Sequence, residues 1–302
     1  MSKNIIVIGS CNTDMVIKVD RLPVPGETVI GDSFMMNPGG KGANQAVAAA
    51  RLNGNVYFIA KTGNDLFGRR SVELYEDEGI HVGNIYSDSS LPSGVALITV
   101  DTNGENSIAV ASGANKSLSP DDIRQAQSVI EKGDILLMQL EIPIETVEYA
   151  AQLASEKGIK VILNPAPACS LSATLLKNLY MIIPNETEAE MLSGIKVTDW
   201  ESAQKAADTI SRKGVDIVVI TMGAKGAFVK ENDNYYRVSV PPVKALDTTA
   251  AGDTFCGALC VALSENMKVL DAVKFACKCA SITVTRMGAQ SSLPYRKEID
   301  QL

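Results

Sequence analysis

Short, unbroken runs of Ile, Val, Leu and Met recur along this chain and alternate with stretches of helical character. The runs cover Asn4 to Gly9, Val56 to Lys61, Asp134 to Leu140, Lys160 to Asn164, Tyr180 to Pro184 and Asp216 to Thr221. They are apolar on both faces, as parallel strands covered on both sides must be. Between them, Ser119 is placed to cap a helix with Pro120 at its first position and Asp121 and Asp122 in its first turn. That helix is predicted to end near Lys132-Gly133. A second runs from about Ile144 to Lys157 and stops at Gly158; a third runs from Asp199 to Lys213 and stops at Gly214. Strand, helix, strand, repeated, predicts an α/β fold with a doubly wound, mostly parallel sheet flanked by helices.

Two stretches break the rhythm. Gly94 to Ala111 reads as a hairpin turning at Asn103-Gly104, and its arm Val95 to Val100 is apolar on both faces. Ile17 to Phe34, interrupted by Pro23 and Pro25, offers further strands. Two arrangements fit: a small β lid buried against a second subunit, or an antiparallel edge of the main sheet. With no long linker, internal repeat or low-complexity tract, one domain is expected over 1–302. Its lid strands would be inserted from about 15–36 and 93–111.

Composition excludes several functions. The net charge of −7 speaks against a general nucleic-acid binder, and any anionic ligand must be held by local geometry. No segment is long and apolar enough to span a bilayer, and the N-terminal run is too short for a secretory signal, so no membrane association and a cytoplasmic location are expected. His81 is the only histidine, which rules out metal sites built on several imidazoles and leaves a hydrolase triad only that one ring. Six cysteines without CxxC spacing read as reduced, mostly buried thiols.

Five segments carry residue types suited to chemistry. Pro38-Gly39-Gly40-Lys41-Gly42-Ala43-Asn44 runs into an Ala-rich helix predicted over Gln45 to Leu52. Such glycines let backbone approach a ligand, and amides at a helix start favour polar or anionic groups. A tight turn into a close-packed helix is the alternative. This is no Walker A loop, because Met35 stands where its first glycine belongs and Gly42 follows the lysine instead of Ser or Thr; nor is it GxGxxG. In Asp247 to Phe255, the apolar spacing of Phe255, Ala258, Leu259, Ala262 and Leu263 puts Asp253 in the first turn of a helix behind small residues. Phosphate can reach free amides there, and a carboxylate beside it can take a proton from an attacking hydroxyl; a capping role is the alternative. Thr221 to Gly226 closes an apolar strand where α/β folds hold ligands, or simply turns into a hairpin over Ala227 to Val240. Asn185 to Glu188 sets acids after a strand, either for Mg²⁺ and its waters or as an ordinary acidic helix start. Asn12, Asp14 and Glu141 stand at or beyond strand ends and suit sugar hydroxyls.

Together these segments resemble the ribokinase-like family of sugar kinases, over a span from Val7 to the C-terminus. The most specific parts are Asn37 to Ala46 and Asp247 to Phe255; Asn12-Thr13-Asp14, Pro23 to Thr28 and Val284 to Gln290 also match. The resemblance implies transfer of phosphate from ATP to the 5-hydroxyl of D-ribose. It assigns Asn12, Thr13, Asp14, Gly40, Lys41, Gly42, Ala43, Asn44 and Glu141 to the sugar and makes Asp253 the base. ATP would meet Asn185, Thr221, Met222, Gly223, Ala224, Lys225, Gly226, Gly252, Asp253 and Cys277, with Gly252 in an anion hole. Cys277 stands where the family can carry a histidine near adenine. Glu188 would organise Mg²⁺ through water. Activating K⁺ would fall on Asp247, Thr249, Thr283, Arg286, Gly288 and Ser292, mostly through carbonyls. The lid would be the interface of a homodimer.

Rival readings are a kinase of 2-deoxyribose or of another sugar or nucleoside, and a catalytically silent sensor on the same fold. A Rossmann dehydrogenase lacks its glycine fingerprint here.

Overall fold

Along Ile5 to Ile8 every side chain is buried, and successive ones enter different cores. Ile5 and Val7 join an apolar cluster on one side of a sheet, Ile6 and Ile8 a second cluster on the other. The computed structural model describes residues 3–301, so residues 1, 2 and 302 of the expected domain lie outside the described residues. Its strands are β1 (Asn4–Ile8), β2 (Asn12–Lys18), β3 (Ser33–Gly39), β4 (Asn55–Gly63), β5 (His81–Asp88), β6 (Gly94–Val100) and β7 (Asn106–Ala111). They continue with β8 (Ile135–Met138), β9 (Lys160–Leu163), β10 (Met181–Ile182), β11 (Ile217–Thr221), β12 (Ala227–Glu231) and β13 (Asn234–Val238). The helices are α1 (Lys41–Arg51), α2 (Leu66–Asp77), α3 (Pro120–Gln125), α4 (Gln127–Ile130), α5 (Ile144–Glu156) and α6 (Ala173–Lys177). After them come α7 (Glu186–Ser193), α8 (Trp200–Ser211), α9 (Ala251–Ser264), α10 (Val269–Thr283) and α11 (Arg296–Asp300).

The main sheet runs β13-β12-β11-β10-β9-β8-β1-β4-β5, parallel throughout except for the antiparallel hairpin β11-β12-β13 at one edge. Helices α1, α9 and α10 supply the first core cluster; α3 to α8 supply the second. Every apolar run named from the sequence is a strand of this sheet.

The hairpin and the two ends of the Ile17 to Phe34 stretch belong to a separate sheet, ordered β3-β2-β6-β7, and not to an edge of the main sheet; residues 19–32 between them are not strand. The separate sheet is mixed: β2 pairs parallel with β6 and antiparallel with β3. The turn between β6 and β7 carries Gly104 at φ +82°.

Two local readings need correcting, and one strand was not named. The helix opened by Ser119 breaks at Ala126 into α3 and α4, although its capping box with Asp122 is present. The unnamed strand is β5, which contains His81 and pairs with β4; its half-exposed edge lacks the apolar run that marks the others. The helix expected from Gln45 begins at Lys41, because its first-turn amides find partners far away in sequence. Lys41 N donates to Glu141 Oε2 at 3.0 Å, and Ala43 N to Ser10 O at 2.9 Å.

Candidate active site

Parallel strands deliver their carboxyl ends to one place, where open α/β sheets bind ligands. β1 ends into Ser10 to Asn12, β8 into Gln139 and Glu141, β9 into Asn164, β10 into Asn185 and β11 at Thr221. Helices α1 and α9 close the space from above. Gly40, at φ +89°, and Gly42 let α1 start there: a Cβ on Gly42 would stand 2.6 Å from the Gly9 carbonyl carbon. A cavity of about 220 Å³ results, lined among others by Lys41, Asn164, Asn185, Glu188, Gly252 and Asp253.

Asp253 is buried, and both of its carboxylate oxygens are held. Asn44 Nδ2 donates to Oδ2 and Gln45 Nε2 to Oδ1, each at 3.0 Å. Burial raises its pKa, while Lys41 and the two amides pull the other way. Burial works against the charge of Lys41, but Asp253, Glu141 and Glu188 outweigh it and raise the pKa. Asp14 is pushed up to about 6 by burial and by the charges of Glu141 and Asp253. The site is therefore a cluster of carboxylates around one ammonium group.

The N-terminus of α9 is left open. Its N-cap, Ala250, is in the left-handed region at φ +60°, and no side chain caps the helix, whereas Asp65, Ser119, Ser172, Asn185 and Asp199 cap α2, α3, α6, α7 and α8. Among the described residues, the amides of Gly252 and Asp253 have no protein acceptor. Both residues line the cavity. Free amides at a helix start form an anion-binding mouth.

Asn12 Oδ1 accepts from Asn115 Nδ2 at 2.7 Å, and among the described residues the Asn12 Nδ2 donor has no protein acceptor. Glu141 Oε2 accepts from Ser10 Oγ at 2.5 Å. Asn12 and Asp14 share one face of β2, and Thr13 points to the other, paired with Pro38 and Val95. Ala43 is fully buried and, like Gly42, packs α1. At the ends of β10 and β11, Asn185 and Glu188 form a capping box on α7, and Thr221 bridges to Asn185. Met222 to Gly226 turn tightly from β11 into β12, with Met222 N bonded to Gly226 O at 2.8 Å. Lys225 Nζ reaches Thr198 O at 2.6 Å. Cys277 is buried in the core on α10 and does not line the cavity.

Asp247 Oδ1 accepts from Thr249 N and Oγ1, and Oδ2 from Gly288 N at 2.9 Å. Despite partial burial, these bonds hold its carboxyl below the usual range. The Thr283 hydroxyl meets that of Thr254, Arg286 pairs with Glu298, and Ser292 Oγ donates to Ala289 O.

Sequence reasoning passed over the amides behind the carboxylates: Asn115, Gln45, Gln139, Asn164 and Gln290. A polar residue ending an apolar strand, as Gln139 and Asn164 do, was the available signal. His81, by contrast, stacks on Tyr57 at 4.2 Å beside an open depression of about 540 Å³ outside this site.

The sequence pattern of the pfkB family carbohydrate kinases matches residues 2–296. The chain belongs to that family. It is 48% identical to a ribokinase of Haemophilus influenzae over 99% of this chain and 97% of that one. A deoxyribokinase of Salmonella typhi is 38% identical, over 99% and 98%. The solved Arabidopsis thaliana ribokinase complexed with ribose and ATP superposes with a TM-score of 0.93 at 32% identity, covering 100% of this chain and 98% of that one. The protein is thus a carbohydrate kinase, with the mostly parallel sheet and small second sheet of its relatives.

Proposed function

We propose that this kinase moves the γ-phosphoryl group of ATP to the 5-hydroxyl of D-ribose, with Asp253 as base. The observation that carries the reading is the pairing of a buried, doubly held carboxylate with the unpartnered amides of Gly252 and Asp253. Asp253 takes the hydroxyl proton as that oxygen attacks, and the amides and Lys41 stabilise charge on the transferring oxygens. Asn12, Asp14, Gly40, Lys41, Asn44 and Glu141 orient the sugar. Asn185 and Thr221 to Gly226 flank the nucleotide.

A divalent ion on the ATP phosphates neutralises their charge. Glu188, which lines the cavity, would meet that ion through water. Burial raises the pKa of Glu188, with Asn185 N–H and Lys41 opposing. A monovalent cation would stiffen the loop before α9. Asp247, one carboxylate among the backbone oxygens of Thr249, Thr283, Arg286, Gly288 and Ser292, is donor chemistry suited to K⁺. Arg286 already spends its side chain on Glu298, consistent with a carbonyl role.

The lid closes over ribose and excludes water. It leaves Ile17, Phe34, Met36 and Leu97 exposed on one face and Met35, Ile108 and Val110 on the other. Apolar surface on both sides of a thin sheet supports a homodimer formed through it. Among the described residues no helix is long and apolar enough to cross a membrane, in keeping with a cytoplasmic enzyme.

The second reading is a 2-deoxyribose kinase, favoured by the similarity to the Salmonella typhi protein. The free Asn12 donor favours a 2-hydroxyl. ADP release measured with pentoses and hexoses, in potassium and then sodium buffer, tests all of this. Highest kcat/KM with ribose and a higher rate in potassium are expected; preference for another sugar overturns the substrate, and equal rates in both salts overturn the cation site.

A further inference from the structure

We infer that Gln139 and Gln45 form a buried amide relay that aims and ionises Asp253, which makes both positioning residues for phosphoryl transfer. The inference rests on Asp253 being the base. Gln45 Nε2 donates to Asp253 Oδ1 and to Asn164 Oδ1, both at 3.0 Å, so both of its hydrogens are spent. Its Oε1 in turn accepts from Gln139 Nε2 at 2.6 Å. Neither glutamine is exposed at all.

The order of donors and acceptors along this line is fixed from one end. An ionised carboxylate only accepts. Gln45 must therefore present nitrogen to Asp253 and oxygen to Gln139, and Gln139 must present nitrogen to Gln45. Turning the Gln45 amide over would break all three bonds and set oxygen against the carboxylate. At the far end, Gln139 Oε1 is buried without a partner. It fits only because Gly9 has no side chain: a Cβ there would lie 2.1 Å from that oxygen. An oxygen left unpaired in the core costs stability. Here the orientation it permits favours the charged form of Asp253, against the burial that opposes it. Each carboxylate oxygen keeps a further lone pair for the sugar's proton.

Gln139 lies behind Gln45 and is not among the groups assigned to ribose or ATP, so its variants separate aim from contact. In Gln139→Met, kcat should fall about 10-fold with the ribose KM within about threefold, since only the base is disturbed. The acid limb of the kcat–pH profile should move up by about half a unit as Asp253 loses a steady donor. Gln139→Leu removes the same donor with a second apolar side chain of similar bulk, and the same fall in kcat and upward move of the limb are expected. Melting temperatures are measured alongside, and if the methionine variant does not fold, the leucine variant carries the test. An unmoved acid limb in folded variants, whether kcat is kept or falls with stability, overturns the inference. Asp253→Asn is assayed in parallel: near-normal turnover there sinks the base itself and not merely the relay.

Discussion

The backbone amide of Lys41 donates to the carboxylate of Glu141 at 3.0 Å, across 100 residues of sequence. Glu141 therefore caps α1 as well as holding the place proposed for a sugar contact. Glu141→Leu should cost about 1 kcal/mol or more of stability, as the loss of a helix cap does. It should also raise the ribose KM, because Lys41 loses its anchor. Chemical denaturation and steady-state kinetics check both; unchanged stability would remove the capping role.

Gly252 offers a sharper separation of stability from activity. A Cβ there meets nothing within 4 Å, and the residue is helical without a positive φ. Gly252→Ala should hold or raise stability by about 0.5 kcal/mol, the usual gain from stiffening the unfolded chain. The same methyl group would stand in the mouth of the anion site, so kcat should fall at least about 10-fold. Thermal melts and ADP release measure the two effects.

Asp14 should give a pH signature. Its carboxyl is raised from 3.8 to about 6 by burial and by Glu141 and Asp253. A carboxyl whose folded pKa lies above its unfolded one costs stability as pH rises through that interval, and costs nothing below it. Asp14→Asn should therefore raise the melting temperature at pH 8 by about 3 °C or more and leave it unchanged near pH 3. In the unaltered protein the ribose KM should rise as pH falls through about 6, where this acceptor is lost.

The lid carries the fourth expectation. Leu97 is 56% exposed beside Ile17, Phe34 and Met36. Light scattering should report a dimer, and Leu97→Glu a monomer with a weakened hold on ribose. A fully active monomeric parent would contradict the interface.

Much of this was legible in the sequence. The doubly buried strands announced themselves as unbroken apolar runs, and the spacing from Phe255 to Leu263 fixed the helix that carries Asp253. β5 was not legible, because its residues alternate between half-buried and exposed at a sheet edge and share no run of apolar side chains. The early start of α1 depends on Glu141, and the amides behind Asp253 join residues up to 246 apart, as Gln290 and Asn44 are. Such partnerships follow from the folded topology, and no local pattern encodes them. The carboxylates could be picked out by their positions beside strand and helix ends; the groups that aim them could not.

The most direct test is Asp253→Asn, read as single-turnover phosphoryl transfer and ribose binding on the same protein. Turnover should fall by about 10²- to 10⁴-fold, the worth of a positioned base, while the ribose Kd changes little. Turnover within a few-fold of the unaltered enzyme would contradict the account.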